Sequence, residues 1–168
     1  NLGRMVTKEK LTESEKVATL DRLSTSVSIQ DGCQGAGLVV EAVPEVFSLK
    51  RNVYNEVEAV VDPSAVVATN TSSISITKLA NALKHPHRFI GMHFFNPVPV
   101  MSLVEVVKGH QTDSAVVDAV MAWSEGLGKV PVPVNDSPGF VSNRVLMPMI
   151  NEAIFAVYEG VATPEHVD

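Results

Sequence analysis

The fold is decided by the stretch Leu38-Val39-Val40-Glu41-Ala42-Val43, a nearly all-apolar run that ends at Pro44. A short apolar run of this kind is typical of a strand buried on both faces of a parallel sheet. Apolar residues then recur every three or four positions from Val46 to Val61, which predicts a helix that ends at Asp62-Pro63. A buried strand followed directly by an amphipathic helix indicates an α/β protein.

The same alternation continues towards the C-terminus. Residues 65–69, 88–93, 103–108 and 129–134 are predicted strands, and residues 75–83 and 112–127 are predicted helices. In the later helix, the residues expected to face inward are Val116, Val117, Val120 and Trp123. Strands that alternate with helices in this way predict an α/β fold with a mostly parallel sheet.

The segments before Leu38 are less regular. Thr12-Glu13-Ser14-Glu15 has the pattern of a capping box, so residues 12–23 are predicted to form an amphipathic helix, and residues 25–29 alternate like a short strand. The glycine-rich residues 31–37 superficially resemble a dinucleotide-binding loop. Such a loop follows a strand and opens a helix, whereas this one precedes a strand, so we interpret it as a turn.

The composition is that of a packed globular domain. The 168 residues are 45% hydrophobic and 19% charged, and the net charge of −6 comes without a basic cluster, which disfavours nucleic acid and membrane surfaces as partners. No apolar run approaches the ~20 residues of a membrane span. The single cysteine, Cys33, excludes an internal disulfide framework, fits a reducing compartment and is interpreted as incidental.

The pattern of the chain changes after Asn135. A turn at residues 136–139 is followed by a long predicted helix at residues 140–158. We therefore predict that residues 1–135 form an α/β domain and that residues 136–168 begin a helical domain. The chain starts with asparagine, and its last residues have the pattern that begins a helix, so we expect a piece of a longer protein.

Polar side chains follow three of the predicted strands. Glu45 follows the first strand, Asn70 and Ser72 follow the second, and His93 and Asn96 follow the third. Ligands of parallel α/β sheets collect at the carboxyl ends of strands, where loops and helix N-termini expose unpaired amides. We therefore expect these residues to converge on one crevice.

Each candidate also has a purely structural interpretation. Ser72 and Ser73 could cap the following helix, and His93 could be a buried histidine bonded to the backbone. Glu105 could lie on the polar side of an edge strand, and Asn143 could be a surface residue. Their occurrence together is what favours a functional site.

Three longer motifs carry most of these residues. They read Thr69-Asn70-Thr71-Ser72-Ser73, then Gly91-Met92-His93-Phe94-Phe95-Asn96-Pro97-Val98-Pro99-Val100-Met101 with Leu103-Val104-Glu105-Val106-Val107, and then Asp136-Ser137-Pro138-Gly139-Phe140-Val141-Ser142-Asn143-Arg144. Together they strongly resemble the L-3-hydroxyacyl-CoA dehydrogenase family. The resemblance implies the C-terminal part of a Rossmann-like, NAD-binding domain, followed by the start of an all-helical domain for substrate binding and dimerisation.

The resemblance implies an enzyme that oxidises the 3-hydroxyl of an (S)-3-hydroxyacyl-CoA to a ketone with NAD, in fatty-acid β-oxidation or butanoate metabolism. His93 would be the general base, and Glu105 would orient its ring and stabilise the imidazolium. Ser72 would hydrogen-bond the substrate oxygen, and Asn143 would lie beside the substrate. The chemistry agrees, because an imidazole that titrates near pH ~6.5 can take the hydroxyl proton as the hydride leaves.

The family's cofactor contacts carry over to five residues, namely Ala42, Glu45, Lys50, Asn70 and Asn96. The family's glycine-rich first turn and its ribose-binding acidic residue have no match, so the chain would hold half of the cofactor site. The choice between NAD and NADP therefore stays open. No metal is implied.

The resemblance also implies an acyl-CoA substrate and a homodimer formed through the helical domain. Residues 147–153 and 159–163 look more like the monofunctional branch of the family than the multifunctional one. The compartment would be the cytoplasm in a bacterium and the mitochondrion or peroxisome in a eukaryote. Lys8 and Lys10 fall in a region that contacts CoA in relatives, but we interpret them as solvated surface lysines.

Two other functions are compatible with some of these residues. Ser72, His93 and Glu105 are also the ingredients of a hydrolytic triad, but Ser72 lacks the Gly-x-Ser-x-Gly elbow, and the chain order differs from that of α/β-hydrolases. The protein could instead be a non-catalytic structural or binding homologue, although Asn143 and the other three groups are all present.

Overall fold

The computed structural model describes residues 2–168. Its strands are β1 (Leu38–Glu41), β2 (Val66–Thr69), β3 (Phe89–Phe94), β4 (Leu103–Lys108) and β5 (Val130–Asn135). Its α-helices are α1 (Leu2–Thr7), α2 (Glu13–Leu20), α3 (Ile29–Cys33), α4 (Phe47–Glu58), α5 (Ile76–Ala80), α6 (Ser114–Gly126), α7 (Ser142–Tyr158) and α8 (Pro164–Val167). A 3₁₀ turn spans Pro86–Arg88.

The strands form one sheet in the order β1-β2-β3-β4-β5. β1, β2 and β3 are parallel and are joined through α4 and α5, β4 runs antiparallel to β3, and β5 is parallel to β4. Glu41 pairs with Thr69, and Thr69 pairs with Gly91, so the carboxyl ends of the three parallel strands lie at one edge. The predicted α/β fold with a mostly parallel sheet is confirmed.

Helices cover both faces of the sheet. α4 and α5 pack on one face in a cluster that includes Tyr54, Val57, Val67, Ile76, Leu79, Phe89 and Phe140. α6 packs on another cluster, made of Val66, Ala68, Ile90, Met92, Val104, Val106, Val116 and Val120. The prediction that Trp123 faces inward is wrong. The buried stripe of α6 is Val116, Val120 and Ser124, spaced four residues apart, and Trp123 lies beside it with an exposed ring.

The segments before β1 differ in part from the prediction. The capping box of α2 is confirmed, because the Thr12 amide donates to Glu15 at 2.8 Å. The strand predicted at residues 25–29 is wrong. Ser28 caps α3 there by accepting a hydrogen bond from the Asp31 amide at 3.2 Å, so the glycine-rich turn begins only after Cys33. A serine cap competes with extended backbone, and a five-residue alternation is too short to decide between them.

α7 joins the sheet at its N-terminal end. It begins at Ser142 rather than at Phe140, which is itself buried in the cluster that also contains Tyr54. None of the residues of α7 is buried within the described chain, and Val145, Met149 and Ile154 are exposed. The helix therefore leaves the α/β part with an open apolar face.

Candidate active site

His93 and Glu105 face each other across two strands. They are directly paired between β3 and the antiparallel β4, which places their side chains on the same face of the sheet. The His93 Nδ1 atom lies 2.8 Å from Glu105 Oε2, and the two residues are only 7% and 2% exposed. A carboxylate can only accept, so Nδ1 donates, and Nε2 is left as the nitrogen that can accept a proton.

The carboxylate of Glu105 also caps helix α7. Its Oε1 accepts hydrogen bonds from the backbone amides of Val141 and Ser142 at 3.0 and 2.8 Å, and its Oε2 accepts from the Ser142 hydroxyl at 2.9 Å. A helix leaves such amides unpaired at its start, and no cap side chain from α7 itself binds them. Glu105 therefore ties β4 to the helical part of the chain.

These hydrogen bonds control the charge of Glu105. Burial alone raises the pKa of this carboxyl, but hydrogen bonds from His93, from Ser142 and from the Val141 amide outweigh burial and hold its pKa below the usual value. Glu105 is therefore ionised at neutral pH and acts only as a hydrogen-bond acceptor.

Two phenyl rings pack on the imidazole of His93. The ring centroids of Phe95 and Phe140 lie 4.7 and 5.7 Å from that of His93. Phe95 follows β3 directly, whereas Phe140 comes from the junction before α7. The imidazole is thus fixed in orientation by an apolar wall as well as by its hydrogen bond.

Ser72 and Asn143 are brought together by the structure. The Asn143 side-chain amide donates to the Ser72 carbonyl oxygen at 3.5 Å, a long hydrogen bond. Ser72 is exposed in the loop after β2, and no hydrogen bond of its hydroxyl is found within residues 2–168. The cap of α5 is Ser75, which accepts from the Lys78 amide at 3.1 Å, so the interpretation of Ser72 as a helix cap is wrong. The described chain also contains no Ser72–His93 hydrogen bond, which a hydrolytic triad would need.

Asp136 holds the start of α5 from the turn between β5 and α7. It accepts hydrogen bonds from the Ser75 hydroxyl at 2.6 Å and from the amides of Ile76 and Thr77 at 3.1 and 2.8 Å. Burial raises the pKa of Asp136, but hydrogen bonds from Ser75, Thr77 and Ile76 outweigh burial and lower it. Sequence reasoning treated this residue as part of a turn, because its partners are about 60 residues away and no local pattern links them.

The candidate cofactor residues lie at the carboxyl edge of the parallel strands. Ala42 and Asn96 are exposed, and Asn96 precedes a cis peptide bond to Pro97. Asn70 is half-buried, and its Oδ1 accepts a hydrogen bond from the Phe94 amide at 2.9 Å. This bond ties the end of β2 to the end of β3, beside the histidine.

Lys50 is more deeply buried than a residue that contacts a cofactor from the solvent side would be. It is 1% exposed, and its ammonium lies 2.8 Å from Glu41 Oε1 and 3.1 Å from Glu45 Oε2. Glu45 lies at the open rim and also accepts hydrogen bonds from the hydroxyls of Thr71 and Ser73. Burial raises the pKa of Glu45, but the bonds from Thr71, Lys50 and Ser73 outweigh burial and lower it. Lys50 thus fixes the loop after β1 through the two carboxylates.

Glu41 is a buried acceptor that sequence reasoning missed. Besides the Lys50 ammonium, it accepts hydrogen bonds from the hydroxyls of Tyr54 and Thr69 at 2.7 and 2.8 Å and from the Val43 amide at 2.6 Å. Burial raises the pKa of Tyr54, so its hydroxyl stays a donor. A carboxylate inside a run of apolar strand residues was the available signal, because such a group must be paired.

The polar groups at this edge are of the kind that can hydrogen-bond a dinucleotide. It presents the exposed backbone around Ala42, the Glu45 carboxylate and the Asn70 amide at the ends of apolar strands, and such convergent polar groups suit ribose hydroxyls and an amide. Within residues 2–168, no group of three or more His, Cys, Asp or Glu side chains is arranged to hold a metal ion. No helix in the same range is both long and apolar enough to cross a bilayer.

Comparisons with known proteins agree with this geometry. Residues 1–137 match the family model described as 3-hydroxyacyl-CoA dehydrogenase, NAD binding domain, and residues 139–168 match the model of the C-terminal domain of the same family. The family resemblance carried by the three motifs is therefore confirmed.

Similar proteins are longer than this chain. A probable 3-hydroxybutyryl-CoA dehydrogenase of Bacillus subtilis is 47% identical over 167 residues, which are 99% of this chain and 58% of that protein. A 3-hydroxybutyryl-CoA dehydrogenase of Clostridioides difficile is 43% identical over 100% of this chain and 59% of its own length. The crystal structure of (S)-3-hydroxybutyryl-CoA dehydrogenase from Ralstonia eutropha superimposes with a TM-score of 0.95 and 49% identity, over 99% of this chain and 59% of that one. The chain thus spans less than two thirds of these relatives.

Proposed function

Because this chain belongs to the 3-hydroxyacyl-CoA dehydrogenase family, we propose that it is part of an NAD-dependent oxidoreductase that converts (S)-3-hydroxyacyl-CoA to 3-oxoacyl-CoA. The observation that carries this proposal is the buried His93–Glu105 pair, joined at 2.8 Å. The names of the relatives, which are 3-hydroxybutyryl-CoA dehydrogenases, support a short acyl chain. Since the relatives are longer, the activity is proposed for the whole protein.

His93 is the general base of the proposed reaction. Its Nδ1–H is held by Glu105, so Nε2 accepts the proton of the substrate 3-hydroxyl. A bound NAD would supply the acceptor for the hydride that leaves the same carbon. Glu105 stabilises the imidazolium that forms, because an ionised carboxylate at 2.8 Å favours the charged ring.

Ser72 and Asn143 hold the substrate oxygen in this proposal. The Ser72 hydroxyl is exposed and can donate to the oxygen that becomes the ketone. Asn143 already reaches the loop of Ser72 from α7, so it lies where the two parts of the chain meet. The bond at 3.5 Å is long and can be exchanged for one to the substrate.

The cofactor contacts divide into direct and indirect ones. Ala42, Glu45, Asn70 and Asn96 contact NAD along the carboxyl edge of β1, β2 and β3. Lys50 acts through the loop that ends at Glu45, because its ammonium is buried between two carboxylates. The match of residues 1–137 to an NAD binding domain supports this assignment.

The assembly and the compartment are part of the same proposal. We propose that the helical part continues into a domain through which two copies form a homodimer. The exposed apolar face of α7 supports this proposal. The relatives named above are bacterial, which supports a place in the cytoplasm.

A His93→Ala variant of the natural full-length protein tests the proposal. With (S)-3-hydroxybutyryl-CoA and NAD, we expect kcat to fall by about 10²–10⁴-fold, the usual contribution of a general base. The dissociation constant for NAD, measured by calorimetry, should stay within about twofold, since the imidazole acts on the substrate. His87→Ala is the matched control, because this histidine is exposed in the 3₁₀ turn.

The two possible failures are distinct. Equal turnover in His93→Ala and wild type would contradict the assignment of the base. No NADH formation by the wild-type protein with short, medium or long 3-hydroxyacyl-CoA substrates would contradict the proposed function itself.

A further inference from the structure

One polar contact of the dyad takes no part in the proton transfer. Ser142, the first residue of α7, donates its hydroxyl to Glu105 Oε2 at 2.9 Å. The same oxygen receives the His93 Nδ1–H at 2.8 Å, so the hydroxyl and the imidazole share one acceptor atom. Ser142 is half-buried, and its backbone amide binds the other carboxylate oxygen at 2.8 Å.

We propose that Ser142 is a positioning residue that sets how strongly Glu105 attracts the proton of His93. A carboxylate oxygen that accepts two hydrogen bonds divides its negative charge between them, so each donor is held less strongly. The Ser142 hydroxyl therefore lowers the proton affinity of the imidazole and keeps more of it neutral. A neutral imidazole is the form that accepts the substrate proton, so this inference rests on the proposed function.

Apolar residues border the dyad on the side of β5 and on the side of the imidazole. Val132 of β5 is paired with Glu105, and the rings of Phe95 and Phe140 pack on His93. Arg144, the nearest charged residue along α7, directs its guanidinium to the Ser137 hydroxyl at 3.5 Å. Among the donors to Glu105 within residues 2–168, the Ser142 hydroxyl is the only one besides the imidazole that a substitution can remove, because the other two are backbone amides.

Ser142→Ala in the natural full-length protein removes the hydroxyl and keeps both amides. We expect the titration midpoint of the His93 ring, followed by NMR of ¹⁵N-histidine and assigned with His93→Gln, to rise by about half a pH unit. The acid limb of the kcat/KM profile should move by the same amount in the same direction. Ser142→Thr, which keeps a hydroxyl, should match wild type, and Ser142→Cys, with a weaker donor, should shift less than alanine.

Ser137→Ala is the control for a general disturbance of the junction, because it removes a hydroxyl that does not touch Glu105. An unchanged midpoint in Ser142→Ala overturns the proposal, and so does an equal shift in Ser137→Ala. The NMR titration needs no turnover. A shift in a protein without dehydrogenase activity would therefore support the role of Ser142 and contradict the proposed function separately.

Discussion

Two buried glutamates of the sheet differ in the groups that donate hydrogen bonds to them. Glu41 in β1 is 4% exposed and Glu105 in β4 is 2% exposed, and each accepts four hydrogen bonds. The donors to Glu41 include the ammonium of Lys50, which is itself buried and also lies 3.1 Å from Glu45. The donors to Glu105 include the imidazole of His93, the side chain proposed as the general base.

The origin of the donors differs as well. Those of Glu41 all come from residues 43–69, within one strand-helix-strand unit. Those of Glu105 come from β3 and from the start of α7, up to 37 residues away. A carboxylate whose donors all lie inside one unit holds that unit together. A carboxylate shared by a titratable ring and a second structural part is suited to chemistry.

Glu41→Ala is expected to have the largest effect on stability. It leaves the Lys50 ammonium buried with only Glu45 and backbone near it, and breaking a buried pair typically costs about 3–5 kcal/mol. Urea unfolding followed by circular dichroism measures the loss. The double variant Glu41→Leu with Lys50→Met, which removes both charges, should recover most of it. A Glu41→Ala protein as stable as wild type would contradict the comparison, because the hydrogen bonds to Glu41 would then not stabilise the fold.

Glu105 should have a smaller effect that depends on pH. A carboxyl whose pKa is lower in the folded protein stabilises the fold above its unfolded pKa, about 4.3 for Glu, and this contribution is lost as pH falls through the lower folded value. We therefore expect the urea concentration at which half of the wild-type protein is unfolded to decrease as the pH is lowered below about 5. In Glu105→Gln the loss of unfolding free energy at acid pH should be smaller by about 1–2 kcal/mol. The reason is that this variant lacks one of the carboxyls whose pKa is lowered by folding. Parallel pH dependences in the two proteins would contradict this.

The strand-helix alternation was predictable from local pattern. A continuous apolar run such as residues 65–69 is typical of a strand that is buried on both faces of a sheet, so β2 and its neighbours could be predicted from the sequence. The strand predicted at residues 25–29 failed, because a single hydrogen bond to Ser28 selects a helical turn there. Where the hydrophobic periodicity is weak, such local hydrogen bonds determine the secondary structure.

The candidate site was predictable only where a residue stands in a motif. The pairing of His93 with Glu105 agrees with the role expected from the family resemblance. Ser142, Asp136 and Glu41 were missed as partners, since their contacts join segments that are distant in sequence or hidden in an apolar run. The set of donors that share one carboxylate is known only from the folded structure.

The central claim is that Glu105 acts on the reaction through His93. The most direct test is the rate of NADH formation by Glu105→Gln in the natural full-length protein, at saturating (S)-3-hydroxybutyryl-CoA and NAD. We predict that kcat falls by about 10²-fold while the KM for NAD is unchanged, because glutamine keeps the shape but cannot stabilise the imidazolium. A Glu105→Gln protein with the kcat of wild type would contradict the claim.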